Sequence, residues 1–276
     1  MLRQITILLF LVTSIWSQSS LDILNAPNNA QAAALGITNN PIIKPTRILT
    51  HPARQLDLSV WNWVADIQGG IIGLELDNSY FGFRTMQIGN IEYRGDIPTE
   101  DPLSTFGYAL FNTGASYSQA IGSVIVGAGV EYLYERTLNA SANGLSLNMA
   151  AAFNYSESIL FSAGISHLGT SQELEEERTS FPTELWLEME WKLPKIKLQT
   201  EFTSGEVPLT MAATYPVLDL LEVLASVQIA TAGEDISILP SAGFVANWDN
   251  FKLGYSLYQL THTLGPRHFI SIYWNY

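Results

Sequence analysis

The chain contains no cysteine, so neither a disulfide framework nor a thiol-linked lipid anchor can hold it. Charge is also scarce. Asp, Glu, Lys and Arg make up 14% of the 276 residues, where about a quarter is usual for a soluble domain. Bases are the scarcer sign, 13 Lys and Arg against 26 Asp and Glu, for a net charge of −13. Such a chain repels phosphates, which excludes DNA and RNA as partners. Long apolar runs are lacking as well. The only one, Ile5 to Val12, is too short to cross a bilayer as a helix. Yet 47% of the residues are hydrophobic and the mean hydropathy is +0.14. The apolar residues are therefore dispersed, which favours a membrane β-barrel over a helical bundle.

The dispersal has a period of two. Val124, Val126, Ala128, Val130, Tyr132 and Tyr134 form one row; Ser123, Gly127, Gly129, Glu131 and Glu135 lie between them, with Ile125 and Leu133 as exceptions. Leu145, Leu147, Met149, Ala151, Phe153 and Tyr155 repeat the pattern, and Ile159, Phe161, Ala163 and Ile165 repeat it again. A period of two describes a strand with one apolar and one polar face. Rows of about ten residues ending in aromatics or turns match strands that cross a bilayer, with lipid outside and a polar lumen inside.

Fourteen such segments follow one another, near 56–63, 70–76, 80–93, 104–117, 123–134, 144–155, 158–168, 183–192, 195–202, 209–215, 222–230, 236–246, 251–259 and 267–275. The even-numbered connections, such as Asp77-Asn78-Ser79 and Leu193-Pro194, are short; odd ones, such as 94–103 and 169–182, are longer, except the first, Val64 to Gly69. That parity fits periplasmic turns and external loops. The expected fold is all-β: a transmembrane up-and-down antiparallel barrel of about fourteen strands, placed in the bacterial outer membrane with lipid as its first partner. Arg3, the apolar stretch after it and the small residues Ser14, Ser17 and Ser19 predict an N-terminal signal peptide over 1–19. Residues 20–54 lack the period and carry Ala32-Ala33-Ala34, Gly36, Pro41, Pro45 and Pro52. They are expected to form a plug or a periplasmic segment, and 55–276 the barrel.

Within the wall, register assigns faces. Val126, Val130, Leu187, Met189, Leu253 and Ile272 are expected to face lipid. Glu131, Glu188, Glu190, Lys195, Lys197 and Lys252 are expected to face the lumen, because a charge at mid-membrane on the lipid face costs about 2–4 kcal/mol. A two-residue turn at Leu193-Pro194 sets Glu190 opposite Lys197. No catalytic set, cofactor site or metal site emerges. His262 and His268 flank a loop without a carboxylate at fixed spacing, Gly127-Ala128-Gly129 has no helix after it, and Glu175-Glu176-Glu177 is a solvated loop. The expectation is a protein that is not an enzyme.

Several short stretches, in order, resemble the PorV/PorQ group of outer-membrane proteins, relatives of the FadL hydrophobic-compound transporters. Ala32-Ala33-Ala34-Leu35-Gly36 resembles the group's "ARAAALGGA" stretch, and His51-Pro52-Ala53 stands at its "NPAG". The run from Gly127 to Tyr132 resembles "GvtvKy", and that from Gly164 to Gly169 resembles "GlalrNlG". Phe181 to Leu185 is similar to "LPtelrlG", and Leu264 to His268 to "lGpthris". His51 replaces the group's Asn and Arg54 its Gly. The resemblance implies a FadL-like barrel with Ala32, Ala33, Ala34, Leu35, Gly36, His51, Pro52 and Ala53 in the plug. It also implies a shuttle linked to type IX secretion, binding secretion-system proteins or their exported cargo through external loops. The alternative it implies is a FadL-like carrier or channel for a small hydrophobic ligand. A structural barrel with no transport is the third reading, and the charged lumen expected from Glu131, Glu188, Glu190, Lys195 and Lys197 argues weakly against an apolar path.

Overall fold

The alternating segments pair in sequence order and close on themselves. A computed structural model describes residues 24, 27–51, 53–62, 67–93, 104–137, 140–171, 173–174, 177–178, 181–232, 235–259 and 266–276. Two short helices come first, α1 (Ala30–Leu35) and α2 (Arg47–Thr50). The wall starts with β1 (Gln55–Asn62), β2 (Ile67–Leu76), β3 (Ser79–Tyr93), β4 (Ser104–Ile121), β5 (Val124–Arg136), β6 (Ser141–Asn154) and β7 (Ile159–Ser171). A small excursion follows, β8 (Glu173–Leu174) paired with β9 (Glu177–Arg178). The wall resumes with β10 (Glu184–Lys192), β11 (Lys197–Thr203), β12 (Leu209–Leu218), β13 (Leu221–Ala232), β14 (Asp235–Trp248), β15 (Phe251–Tyr258) and β16 (Arg267–Asn275).

Fourteen of these strands form one closed antiparallel barrel, so the expected fold class and strand count hold. Each strand pairs with its sequence neighbours, β7 with β10 across the excursion. The seam is β1 with β16, from Gln55 opposite Asn275 to Asn62 opposite His268. Closure leaves no sheet edge with unpaired amides, which a bilayer would not tolerate. The outer face of the wall is a continuous apolar surface: Leu58, Val60, Ile72, Val130, Leu187, Met211, Ile238 and Ile270 are all exposed on it.

The wall departs from strict alternation in two places that matter for the interior. In β7, the register slips by one residue opposite Asn148, and His167 takes a left-handed φ of 55°. Strict alternation puts His167 on the outer face with Ile165; the bulge turns it inward, so Ser166 and His167 are both buried. In the β10–β11 hairpin the connection is four residues, 193–196, and Lys192, not Glu190, is the residue nearest the turn in the paired register, opposite Lys197. Glu190 therefore lies opposite Gln199, not opposite Lys197. Lys195 falls in the turn and is exposed, which corrects its expected place in the lumen. The longer turn keeps a strongly solvated ammonium in water, where it costs nothing to hydrate.

Inside the barrel lie described residues that precede β1, Leu24 and 27–50, which form the entry segment. Alanines favour the helix at α1, Asn29 caps it by accepting the Ala32 N–H at 2.9 Å, and Gly36 ends it with φ 61°. Ala32, Ala33 and Ala34 are fully buried although the helix is only six residues long. Isolated helices of that length do not persist in water, so the surrounding wall holds it.

Candidate functional site

The wall holds the entry segment in two ways, by shape and by charge. Among the inward positions of β3 to β5 are Gly82, Gly114, Gly127 and Gly129. A Cβ on Gly82 would lie 2.8 Å from the Ile42 Cδ1, one on Gly127 would lie 2.8 Å from the Pro45 Cβ, and one on Gly129 would lie 2.3 Å from the Ile42 carbonyl oxygen. Ile42 and Pro45 therefore occupy a trough that exists because side chains are missing there. The Ser118 hydroxyl, in the same trough, donates to the Pro45 carbonyl. Across the lumen, the Ala30 N–H donates to the Ser271 hydroxyl at 2.7 Å. Ser226 donates to the Ala34 carbonyl at 3.0 Å, and Gln228 donates to the Gly36 carbonyl at 2.7 Å.

Charge holds the segment on β10 and β11. Lys44 places its ammonium 3.0 Å from Glu188 Oε2 and 2.8 Å from Glu201 Oε1. Arg47 takes the other Glu188 oxygen at 2.6 Å. His51 Nε2 meets Glu190 Oε2 at 2.8 Å, and its Nδ1 lies 3.0 Å from the Thr50 hydroxyl. A carboxylate only accepts, so a neutral His51 carries its proton on Nε2 and accepts from Thr50 at Nδ1. Burial pushes the His51 pKa below its ordinary value, with Arg47 and Lys197 adding to the fall and Glu190 opposing it. Gln199 donates to both Glu188 and Glu190, and Lys197 approaches Glu190 at 3.5 Å. Removing one member of such a buried set leaves its partner uncompensated, at a cost of about 3–5 kcal/mol.

Further contacts fix both ends of the segment. Asn29 donates to Asp57 at 2.9 Å, and the Ala53 N–H donates to Glu75 at 2.9 Å. Outside the lumen, Arg54 and Asp77 form a two-pronged exposed pair at 2.7 and 2.8 Å. That pair holds the Asp77 carboxyl below the usual carboxylate range and raises the Arg54 guanidinium. A separate buried network joins Glu131 to His167 Nδ1 at 2.9 Å, and to Ser146 and Asn148 at 3.1 Å each.

Farther along the barrel, away from the end where β1 begins, the interior changes character. Trp61, Met86, Leu110, Leu133, Tyr258 and Phe269 are buried, face inward and form one apolar cluster. The Trp61 and Phe269 rings lie 6.3 Å apart across the β1–β16 seam. Leu24, from the entry segment, is buried in this cluster, and Arg84 donates to its carbonyl at 2.9 Å. On β1 and β5 the belt interrupts inward rows of polar residues, Asp57 and Ser59 before Trp61 and Glu131 and Glu135 around Leu133, while Tyr80, Trp186, Leu224 and Val245 are further large apolar side chains buried in the interior.

Glu131, Glu188 and Glu190 lie inside and are buried, while Lys197 and Lys252 are half-buried on inward rows. Lys195 does not join them. Val126, Val130, Leu187, Met189, Leu253 and Ile272 are exposed on the outer wall. Ala32, Ala33, Ala34, Leu35 and Gly36 form or end α1; His51 and Ala53 contact Glu190 and Glu75. Pro52, residues 1–19, the loop over 94–103 and His262 lie outside the described residues. Sequence reasoning missed the apolar belt and Lys44. Leu133 breaks the inward row of β5 between Glu131 and Glu135, and that break is the signal in the sequence. Lys44 and Arg47 carry a weaker one, as basic residues in an apolar stretch of a base-poor chain.

No protein-family profile and no curated protein matches this sequence. The fold is similar to that of solved membrane channels, among them the following three. One is CymD, a monoaromatic hydrocarbon channel, at TM-score 0.64 and 9% identity, covering 91% of this chain and 98% of that one. The Pseudomonas putida toluene transporter TodX gives 0.61 and 10%, covering 90% and 96%. The Ralstonia pickettii toluene transporter TbuX gives 0.58 and 9%, covering 92% and 100%. At these identities the likeness is one of fold, that of hydrocarbon-channel barrels.

Proposed function

We propose that this chain is a FadL-like outer-membrane channel or carrier for small hydrophobic compounds, not an enzyme, with residues 24–54 as its hatch. The observation that carries this reading is the inward apolar belt of Trp61, Met86, Leu110, Leu133, Tyr258 and Phe269. A binding site for an apolar compound needs such a lining with a few polar groups beside it. A purely aqueous pore has no use for it. The fold shared with toluene transporters adds support. Compounds enter at the belt from outside, and the charged segment beneath it closes the lumen to water and ions. The exposed apolar outer rows suit lipid, and the end where β1 begins is the periplasmic one. Vesicles containing the purified chain should take up toluene faster than empty vesicles, and replacing Leu133 and Leu110 by Asp should remove the gain. Equal uptake with and without the protein would overturn the reading.

A second reading keeps the ordered resemblance to the PorV/PorQ group, in which the chain is a shuttle of type IX secretion. It is favoured by the density of packing around Ile42, Pro45 and Ala34, which suits a barrel whose lumen stays shut while its outer loops bind protein. Recovery of exported cargo with the tagged chain from its native envelope, without toluene uptake, is the outcome that selects it.

A further inference from the structure

The place where Lys44 ends has the makings of a binding site in its own right. Its ammonium touches two carboxylates, Glu188 at 3.0 Å and Glu201 at 2.8 Å, and sits 4.8 Å from the centre of the Trp186 ring. All four side chains are at least nine-tenths buried. Glu188 and Glu201 face each other directly across the β10–β11 pair. Like charges in that position repel, so this pair of strands is at ease only with a cation between them. Two buried carboxylates and an aromatic face are also the elements that recognise an organic ammonium, through charge-assisted hydrogen bonds and through the ring quadrupole. One element is left over. Glu201 Oε2 is buried and has no hydrogen-bond partner, although the other oxygen of the same carboxylate holds Lys44. The cage thus has more acceptor capacity than its tethered occupant uses.

We propose that the Glu188–Glu201–Trp186 cage is a binding site for organic ammonium compounds, small apolar bodies carrying one –NH3+ group, and that Lys44 is a tethered stand-in for them. This rests on the channel reading and names a substrate class within it. An incoming ammonium replaces that of Lys44 and so loosens the entry segment on its charged side, where Arg47 still holds Glu188 and His51 still holds Glu190, while Ile42 and Pro45 hold it on the glycine side. A neutral compound of the same shape gains nothing from the carboxylates and leaves Lys44 in place.

The test uses the full chain in detergent micelles, with benzylammonium as the probe and benzyl alcohol as its neutral counterpart. Calorimetric titration of the Lys44→Met variant should give about tenfold or more tighter benzylammonium binding than the native chain, since the tethered competitor is gone. Adding Glu201→Gln should abolish the gain, and benzyl alcohol should show none. Equal affinity in the native chain and Lys44→Met overturns the proposal. So does a gain that survives Glu201→Gln, or one that benzyl alcohol shares. If Lys44→Met does not fold, the native chain decides: benzylammonium, and not benzyl alcohol, should speed tryptic cleavage at Arg47, and no acceleration overturns the proposal. Toluene uptake by vesicles separates the two claims. Uptake without any ammonium effect removes the cage and keeps the channel. An ammonium effect without uptake keeps the cage and removes the channel.

Discussion

The two walls that grip the entry segment do so by opposite means. On β3 to β5, glycines make room for Ile42 and Pro45, and the charged side chains Arg84 and Glu131 there meet Leu24 and His167 instead. On β10 and β11, Glu188, Glu190 and Glu201 reach for Lys44, Arg47 and His51. A fit of shape is strict: any added atom must displace the segment. A fit of charge is graded, because ions, protons and competing cations can weaken it without moving the backbone. One wall therefore positions the segment and the other makes its release controllable.

The largest expected effect breaks the shape side. In Gly129→Val the new Cβ would lie 2.3 Å from the Ile42 carbonyl oxygen, so the segment cannot seat at all. Planar-bilayer conductance should rise, and to the same level as on deleting residues 25–50, while circular dichroism shows the strand content of the barrel unchanged. Conductance unchanged from the native chain would mean that the trough does not hold the segment. Next comes the charge side. Glu188→Ala leaves Lys44 and Arg47 without their shared carboxylate and should weaken docking by about 3–5 kcal/mol. Open events should become frequent but stay reversible, unlike those of Gly129→Val. Indistinguishable traces from the two variants would erase the contrast between the walls.

A smaller effect sets the inside of β10 against its outside. Leu187 is exposed on the outer wall beside buried Glu188, so Leu187→Arg should cost the barrel about 2–4 kcal/mol in unfolding titrations without raising conductance. A rise in conductance with no loss of stability would show that the two faces are exchanged. Smaller still is the proton. The pKa of His51 is lowered from 6.5 in the docked state, so the docked state binds fewer protons than the released one. Its contribution is present above the ordinary histidine value and is lost as pH falls through the lowered one. Protease protection of the segment should decline between about pH 7 and pH 5, and His51→Gln should flatten that slope. The least effect belongs to Arg54→Ala. Its pair with Asp77 is fully solvated, and exposed pairs of this kind add little to stability, so protection of the segment should not change.

What the sequence by itself determined is parity. A period of two over some two hundred residues settles that the chain forms strands, that their number is about fourteen and that Glu188 and Glu190 share a face which Leu187 and Met189 do not. These follow from local geometry and from the price of a charge in lipid, and both act on each residue separately. Parity fails where one residue is added or a turn lengthens. The slip in β7 brings His167 inside to Glu131, and the four-residue turn after Lys192 moves Glu190 opposite Gln199 and leaves Lys195 in water. Such changes cost little locally and leave the composition untouched. The contacts of the entry segment belong wholly to tertiary structure. Lys44 is 144 residues from Glu188, and Ala30 is 241 residues from Ser271. No periodicity links positions so far apart. Only closure of β1 on β16 makes an enclosed lumen, and only inside it do a base-poor segment, a glycine trough and opposed carboxylates become neighbours. The same closure sets Trp61 against Phe269, and so gathers scattered apolar exceptions into one belt.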